Sequence, residues 1–456
     1  MLISDQTVTT ATKLRDRFPE AVTVAEDTGW DASRLAFNLL VDQRPQAVAR
    51  PRGVIETVAI VNAARELGLR IAPQGSGHNA GPLGSLDDTL IMKFDRMKAV
   101  DIDVDARRAR VEAGARWWDL TPQASEAGLA ALHGSSPEIN ITGYSLGGGV
   151  GWMARKHGLQ TNHLTAIEIV TADGEYRRVD ADNDSELFWA LRGGSGNFGA
   201  VTAIEFELIP VQEFYAGTLF FPYERAAEVL HAWHEFVAAG VPDELTSVGG
   251  LLQLPDLELI PEIVRGKSFA RIEGFYMGTE ADGRELLEPL RALGPDMDTF
   301  AMVPPIGLAH IHMDPIDPVP YLSTHALLGE LSAADVDEYL SVVGPGSGSP
   351  LSLELRHMGG ALRRGAPEHG ALDTLPGEYM LFGLGGVLDP ADVPVIEAEL
   401  ARVAGTFAPH DVGRYSNFTE ERHDLEAMYP ADTLPRLREV KKTYDPEGLF
   451  KANHAV

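Results

Sequence analysis

Glycine is spread unevenly along this 456-residue chain, and its three dense clusters constrain the fold more than any other feature. The first, IAPQGSGHNAGPLGS, places Gly75, Ser76, Gly77, His78, Asn79 and Gly81 behind a helical pattern and a short strand-like run. The second, HGSSPEINITGYSLGGGVGW, holds Gly143, Gly147, Gly148, Gly149 and Gly151 within nine residues. The third, WALRGGSGNFGAVTAIEFEL, brings Gly193, Gly194, Gly196 and Gly199 to the start of an alternating strand. Consecutive glycines cost backbone entropy that a purely structural turn rarely requires. Small residues also let backbone N–H groups approach an anion closely. Three clusters, each beside a strand, predict one long, phosphate-containing ligand laid across several loops. The first segment matches neither the P-loop nor the Rossmann fingerprint, so the ligand is not held in either of those ways.

The chain is too long for one ordinary core, which predicts at least two lobes. Residues 1–210 alternate short β-rich runs with glycine-rich turns and two or three helical patterns. IETVAIVNAARELGLRI is a helix by its Val58, Val61, Ala64 and Leu67 spacing, ending near Gly68. LIMKF, ARVEAG and AIEIVTADG are strands, the last turning at Asp173-Gly174. Residues 211–405 carry longer helices, such as ERAAEVLHAWHEFVAA, and strands in SFARIEGFYMG and PLSLELRHMGG. Residues 406–456 form a third segment, with RLREVKKTYDPEGLF as a helix stopped by Pro446 and Gly448.

The absence of cysteine removes disulfides, thiolate nucleophiles, Fe–S clusters and Cys-type zinc sites. A formal charge of −29 repels a phosphate backbone, so no nucleic-acid partner is expected. No apolar run approaches the roughly 20 residues that span a bilayer. The N-terminus lacks a basic start followed by an apolar stretch. No membrane partner and a cytoplasmic location are therefore the expectation.

GSGH at 75–78, GGGVGW, RGGSGNFGAVTAIEFEL and the tail YSNF…YDPEGLF occur in one order along the chain. Together they resemble the FAD-linked oxidases of the vanillyl-alcohol oxidase type, in particular the berberine-bridge-enzyme-like branch. The resemblance implies an α+β fold. A two-subdomain FAD-binding lobe would be completed by the C-terminal segment, beside a substrate lobe whose antiparallel sheet is covered by helices. It implies FAD joined through its 8α-methyl to His78; the plainer reading is an unmodified histidine packed beside FAD. Ser136 stands where many members carry the cysteine of a second link, followed by Pro137. A hydroxyl cannot form that thioether, so any tether here is single, as in the monocovalent members. Ile139 occupies the position that governs oxygen access and leans towards an oxidase. Tyr144 either hydrogen-bonds the flavin's pyrimidine edge or is a buried aromatic with a satisfied hydroxyl.

The same resemblance assigns Gly75, Ser76, Gly77, His78, Asn79, Pro137, Ile139, Gly143, Tyr144, Gly148, Gly149, Gly151, Gly199, Val201, Asn417 and Asn453 to the cofactor. It implies hydride transfer from a small organic substrate to the flavin, with O2 as acceptor and H2O2 as product. A flavin dehydrogenase, or an oxidative cyclase or oxygenase of natural products, could use the same site. A homodimer is common among relatives. Strand alternation puts Glu354 and Arg356 on one face of SLELRHMGG, opposite His357. They are either a base with its orienting partner or an exposed ion pair. Tyr415 is the third candidate for the catalytic set, and Tyr321, after Pro320, lines the substrate lobe. Trp152 either walls the active site or packs in the core. His310 and His312 in LAHIHMDP read as one strand face without a carboxylate at ligand-like spacing, so no metal is expected.

Overall fold

Helical periodicity gives way to strand alternation at Gly68, and the backbone changes direction there. The computed structural model, which describes residues 9–456 except 259, 261 and 263, places a helix at Val54–Leu67. Gly68 ends it at φ 70°, a left-handed cap that favours glycine. The helix connects two parallel strands of a four-stranded sheet ordered Val22–Thr23, Ala47–Ala49, Thr89–Lys93, Arg70–Gln74. The last strand delivers the first glycine cluster.

A second, antiparallel sheet of five strands follows in the order Val100–Asp103, Arg108–Glu112, Ala200–Glu207, Leu164–Val170, Tyr176–Val179. Ala113, Val170 and Ala200 of this sheet region share a buried cluster with Ile71, Leu90 and Phe450, so the two sheets pack as one body. The C-terminal segment completes it. Ile71 N–H donates to the Leu449 carbonyl, and Lys451 N–H donates back to the Ile71 carbonyl.

The largest sheet is antiparallel and has nine strands between Phe214 and Gly413. Its alternation is clean on Ser268–Tyr276: Ala270 and Ile272 enter a core with Trp233, Leu287, Tyr339 and Leu400 from four covering helices. Burying that face as a two-layer stack forces Arg271 and Glu273 to the opposite face. Segments expected as strands at SFARIEGFYMG and PLSLELRHMGG are the strands Ser268–Tyr276 and Ser352–His357. LAHIHMDP is not a strand. Its residues close a 3-10 turn at Pro305–His310, which leaves His310 exposed and His312 largely covered, so the two histidines share no face. Among the described residues no helix is long and apolar enough to cross a membrane.

Candidate active site

The first glycine cluster is open. The N–H groups of Ser76, Gly77, His78 and Asn79 make no hydrogen bond among the described residues. Gly77 sits at φ 84°, and a Cβ there would lie 3.1 Å from the Ala36 Cα, so the turn requires glycine. The turn lays the His78 ring on Phe37, with centroids 3.8 Å apart and 21° between planes. His78 Nε2 lies 3.0 Å from Glu138 Oε1, with no aligned hydrogen bond in this ring orientation. Glu138 is only 2% exposed, and neither of its oxygens has a hydrogen-bond partner.

Around this turn lie further buried polar atoms without partners: Gln74 Oε1, Asn79 Oδ1, Thr142 Oγ1, Ser145 Oγ, Thr161 Oγ1 and both amide atoms of Gln160. Native interiors pair more than nine in ten such groups, so this concentration marks a cleft shaped for a polar ligand. It fits the phosphate, ribityl and ring polar atoms of FAD.

The second cluster is closed within the protein. Gly143 N–H donates to Asn140 Oδ1, Gly147 N–H to the Gly143 carbonyl and Gly148 N–H to the Ser145 carbonyl. Gly149 N–H and Val150 N–H both donate to the Tyr415 hydroxyl, at 2.7 and 3.1 Å. The space a Cβ would take is filled by protein: Asn417 Oδ1 at Gly147, Tyr144 and Gln160 at Gly149, the His133 carbonyl at Gly151. These glycines let chain segments meet. Tyr415, expected at the substrate, is clamped by this loop and also accepts from Asn417 Nδ2. Burial pushes its hydroxyl up to about 12, although the three N–H donors oppose this. Tyr144 gives its proton to the Leu132 carbonyl at 3.1 Å, so the donor expected at the flavin edge is used inside the protein.

The remaining expected contacts border the cleft in different ways. Gly75 lies against Asn140, whose backbone N–H donates to Ser76 Oγ. Carbonyls of Pro137 and Ile139 accept the first N–H groups of the helix Trp117–Glu126. Gly199 and Val201 are buried against Val170 and Ile169. Asn79 Nδ2 donates to the Ser416 carbonyl, and Asn453 Nδ2 reaches the Asn79 carbonyl at 3.5 Å. The C-terminal segment therefore closes on the turn that carries His78.

The nine-stranded sheet presents a charged face to a cavity lined by Ser135, Trp152, Glu273, His312, Arg356 and His357, among others. Register builds it. Arg271, Gly250 and Glu354 form one row across three strands, and Glu273, Val248 and Arg356 form the next. With no side chain at Gly250, Arg271 Nη2 reaches across to Glu354 Oε2 at 3.1 Å. Arg356 holds the other oxygen at 2.6 Å. Glu354 is 4% exposed, so the pair is buried, not a surface ion pair, and both carboxylate oxygens are engaged by cations.

His312 joins this face from outside the sheet. Its Nδ1 is 2.7 Å from Glu273 Oε2, and its Nε2 lies 3.5 Å from Asp314 and 3.6 Å from Glu354. Burial opposes a charge on the ring, but the three carboxylates outweigh it and raise His312 to about 9. Asp314 accepts hydrogen bonds from Ser135 and Ser136, and stays below the usual carboxylate range despite its burial. Ser136, placed where a second tether would start, is thus a support for this network. Glu273, His312 and Glu354 bring ligand-type atoms within 4.8 Å of one another. Two guanidiniums already neutralise those carboxylates, which disfavours a dication there. Arg271, Glu273, Asp314, Glu138 and the pairing of Tyr321 with Glu420 escaped the sequence reading. For Arg271 and Glu273 the signal was charge alternating with apolar residues in ARIEGF.

A family model described as an FAD binding domain matches residues 45–180, and one described as berberine and berberine like matches residues 414–456. The cleft at His78 lies between segments of both, so the chain is an FAD-binding enzyme. (R)-6-hydroxynicotine oxidase of Paenarthrobacter nicotinovorans is 27% identical, over 94% of this chain and 95% of its own. The solved structure of Physcomitrella patens BBE-like 1 superposes with a TM-score of 0.84 at 21% identity, covering 98% of this chain and 99% of that one. Glucooligosaccharide oxidase from Acremonium strictum, described with 6-S-cysteinyl, 8α-N1-histidyl FAD, gives 0.81 at 22% identity over 98% and 99%. The chain carries an FAD binding domain and a berberine-like segment and is an FAD-linked oxidoreductase.

Proposed function

We propose that this enzyme carries FAD covalently on His78 and oxidises a small polar substrate, with O2 as electron acceptor and H2O2 as product. The observation that carries the reading is the open turn at Ser76–Asn79, set among buried polar atoms that have no partner in the protein. When bound, FAD supplies the two-electron sink that no side chain provides. The turn's N–H groups, Asn79, Thr142, Ser145 and Gln160 would hold it, with Pro137, Ile139, Gly199, Val201, Asn417 and Asn453 bordering the cleft. Ile139 is the side chain assigned to the path of oxygen.

On the opposite wall, Arg356 and the charged His312 offer N–H donors to a substrate oxygen and fix its orientation. Glu354 is the group assigned to take the substrate's O–H or N–H proton. Arginines hold both of its oxygens, so the substrate hydroxyl or amine must displace one of them to reach it. A similar protein named for hydroxynicotine and another named for glucooligosaccharide favour a substrate rich in polar groups. The test is the visible spectrum before and after acid precipitation, followed by a substrate screen read by H2O2 release. Yellow colour that stays in the wild-type pellet and leaves it in His78→Ala supports the tether. Colour passing to the wild-type supernatant overturns the tether and leaves the FAD site. Turnover with an artificial acceptor but no H2O2 would make the enzyme a dehydrogenase.

A further inference from the structure

His78 has two acids as neighbours. Glu138 faces its Nε2 at 3.0 Å, while Glu420 stands nearby but is already occupied, accepting from Tyr321 at 2.9 Å and from Asn38 at 3.2 Å. Glu138 has no such bonds: both oxygens are buried and unpartnered, and no arginine or lysine pairs with it. A buried carboxylate without hydrogen bonds is costly, and its one close polar neighbour is the imidazole. Phe37, stacked on the ring, leaves the imidazole rotation in its own plane as the motion that brings Nε2–H onto Glu138.

We infer that Glu138 is the residue that prepares His78 for attachment to the cofactor. The inference rests on the histidyl tether proposed above. By accepting Nε2–H, the carboxylate fixes the tautomer in which Nδ1 carries the free lone pair. Nδ1 then bonds to the 8α-carbon as that carbon loses a proton to solvent. The electron pair of the broken C–H bond passes to the cofactor and from there to O2, giving H2O2. The imidazole becomes cationic when its second nitrogen is substituted, and the buried Glu138 carboxylate compensates that charge at 3.0 Å. Ser135 and Ser136, just before it, are fastened to Asp314, which holds the Glu138 segment in place.

The experiment uses full-length protein produced without flavin, mixed with FAD in air, and followed by the fraction of flavin retained in an acid pellet over time. Wild type is expected to reach complete retention. Glu138→Gln keeps an acceptor for Nε2–H but no charge, and is expected to attach at least tenfold more slowly while binding FAD reversibly within about threefold of the wild-type Kd. Glu138→Ala is expected to be slower still and to regain rate with added formate, a rescue that a packing role would not produce. Equal rates in wild type and Glu138→Gln would overturn the inference. If Glu138→Gln fails to bind FAD, the Glu138→Ala rate decides: dependence on formate supports the role and independence overturns it. Wild-type flavin lost to the supernatant would refute the tether itself, a result distinct from either.

Discussion

The molecule contains the same imidazole–carboxylate pair twice, with opposite surroundings. His78–Glu138 and His312–Glu273 both bring an imidazole nitrogen to within 3.0 Å of a carboxylate, at 3.0 and 2.7 Å. Around His312 the charges close on themselves: Arg271, Arg356 and the imidazolium balance Glu273, Asp314 and Glu354. Around His78 nothing closes, and neighbouring amides and hydroxyls also lack partners. A region that satisfies its own charges is a preorganised wall whose field is set before any ligand arrives. A region left short of partners is completed only by a ligand. The difference assigns the two sides of the site without reference to sequence.

Removing one cation is the sharpest way to break this contrast. Arg271→Met should lower stability by about 3–5 kcal/mol in chemical denaturation, because two buried carboxylates each lose one of their two cationic partners. Glu138→Leu in flavin-free protein should cost nothing or stabilise, since no hydrogen bond is lost. Equal losses in both variants would erase the distinction. The next effect is on pH. His312 is raised from 6.5 to about 9, so its contribution is complete below about 6.5 and disappears as pH climbs through about 9. The full swing is on the order of 3 kcal/mol. Wild type minus His312→Gln, followed by denaturation from pH 6 to 10, isolates it from Lys93, which burial lowers to about 8.

Filling the open region should stabilise by mass action. In His78→Ala, where binding is reversible, FAD at a hundred times its Kd should add about 2.7 kcal/mol, seen as a rise in Tm. No rise would mean the unpartnered atoms do not face the cofactor. The smallest effect is expected at the junction of the two regions. Ser136→Ala removes one of two hydroxyls on Asp314 and should cost about 1 kcal/mol.

Local signals in the chain were enough to locate the cleft. The turn at Gly75–Asn79 and the Gly68 cap follow from backbone rules that act within a few residues, and alternation correctly put Glu354 and Arg356 on one face. What alternation could not supply was the partner strand. Arg271 meets Glu354 from 83 residues away because both flank Gly250, a register that no periodicity encodes. The partners of Tyr415 were hidden for the same reason: its hydroxyl is fixed by backbone N–H groups more than 260 residues earlier. The GGG run was legible as close approach but not as to what approaches, since a cofactor and a neighbouring chain segment demand the same missing Cβ.

The edge pairing of Ile71 with Leu449 and Lys451 sets a schedule for the cell. A ribosome finishes the strand carrying Ile71 long before it makes Phe450, and at about 5–20 residues per second the gap is on the order of tens of seconds. During that interval the first sheet lacks its last edge and the turn bearing His78 lacks the segment that closes on it. Cofactor capture therefore waits for synthesis of the segment around Phe450, and not for the first sheet alone.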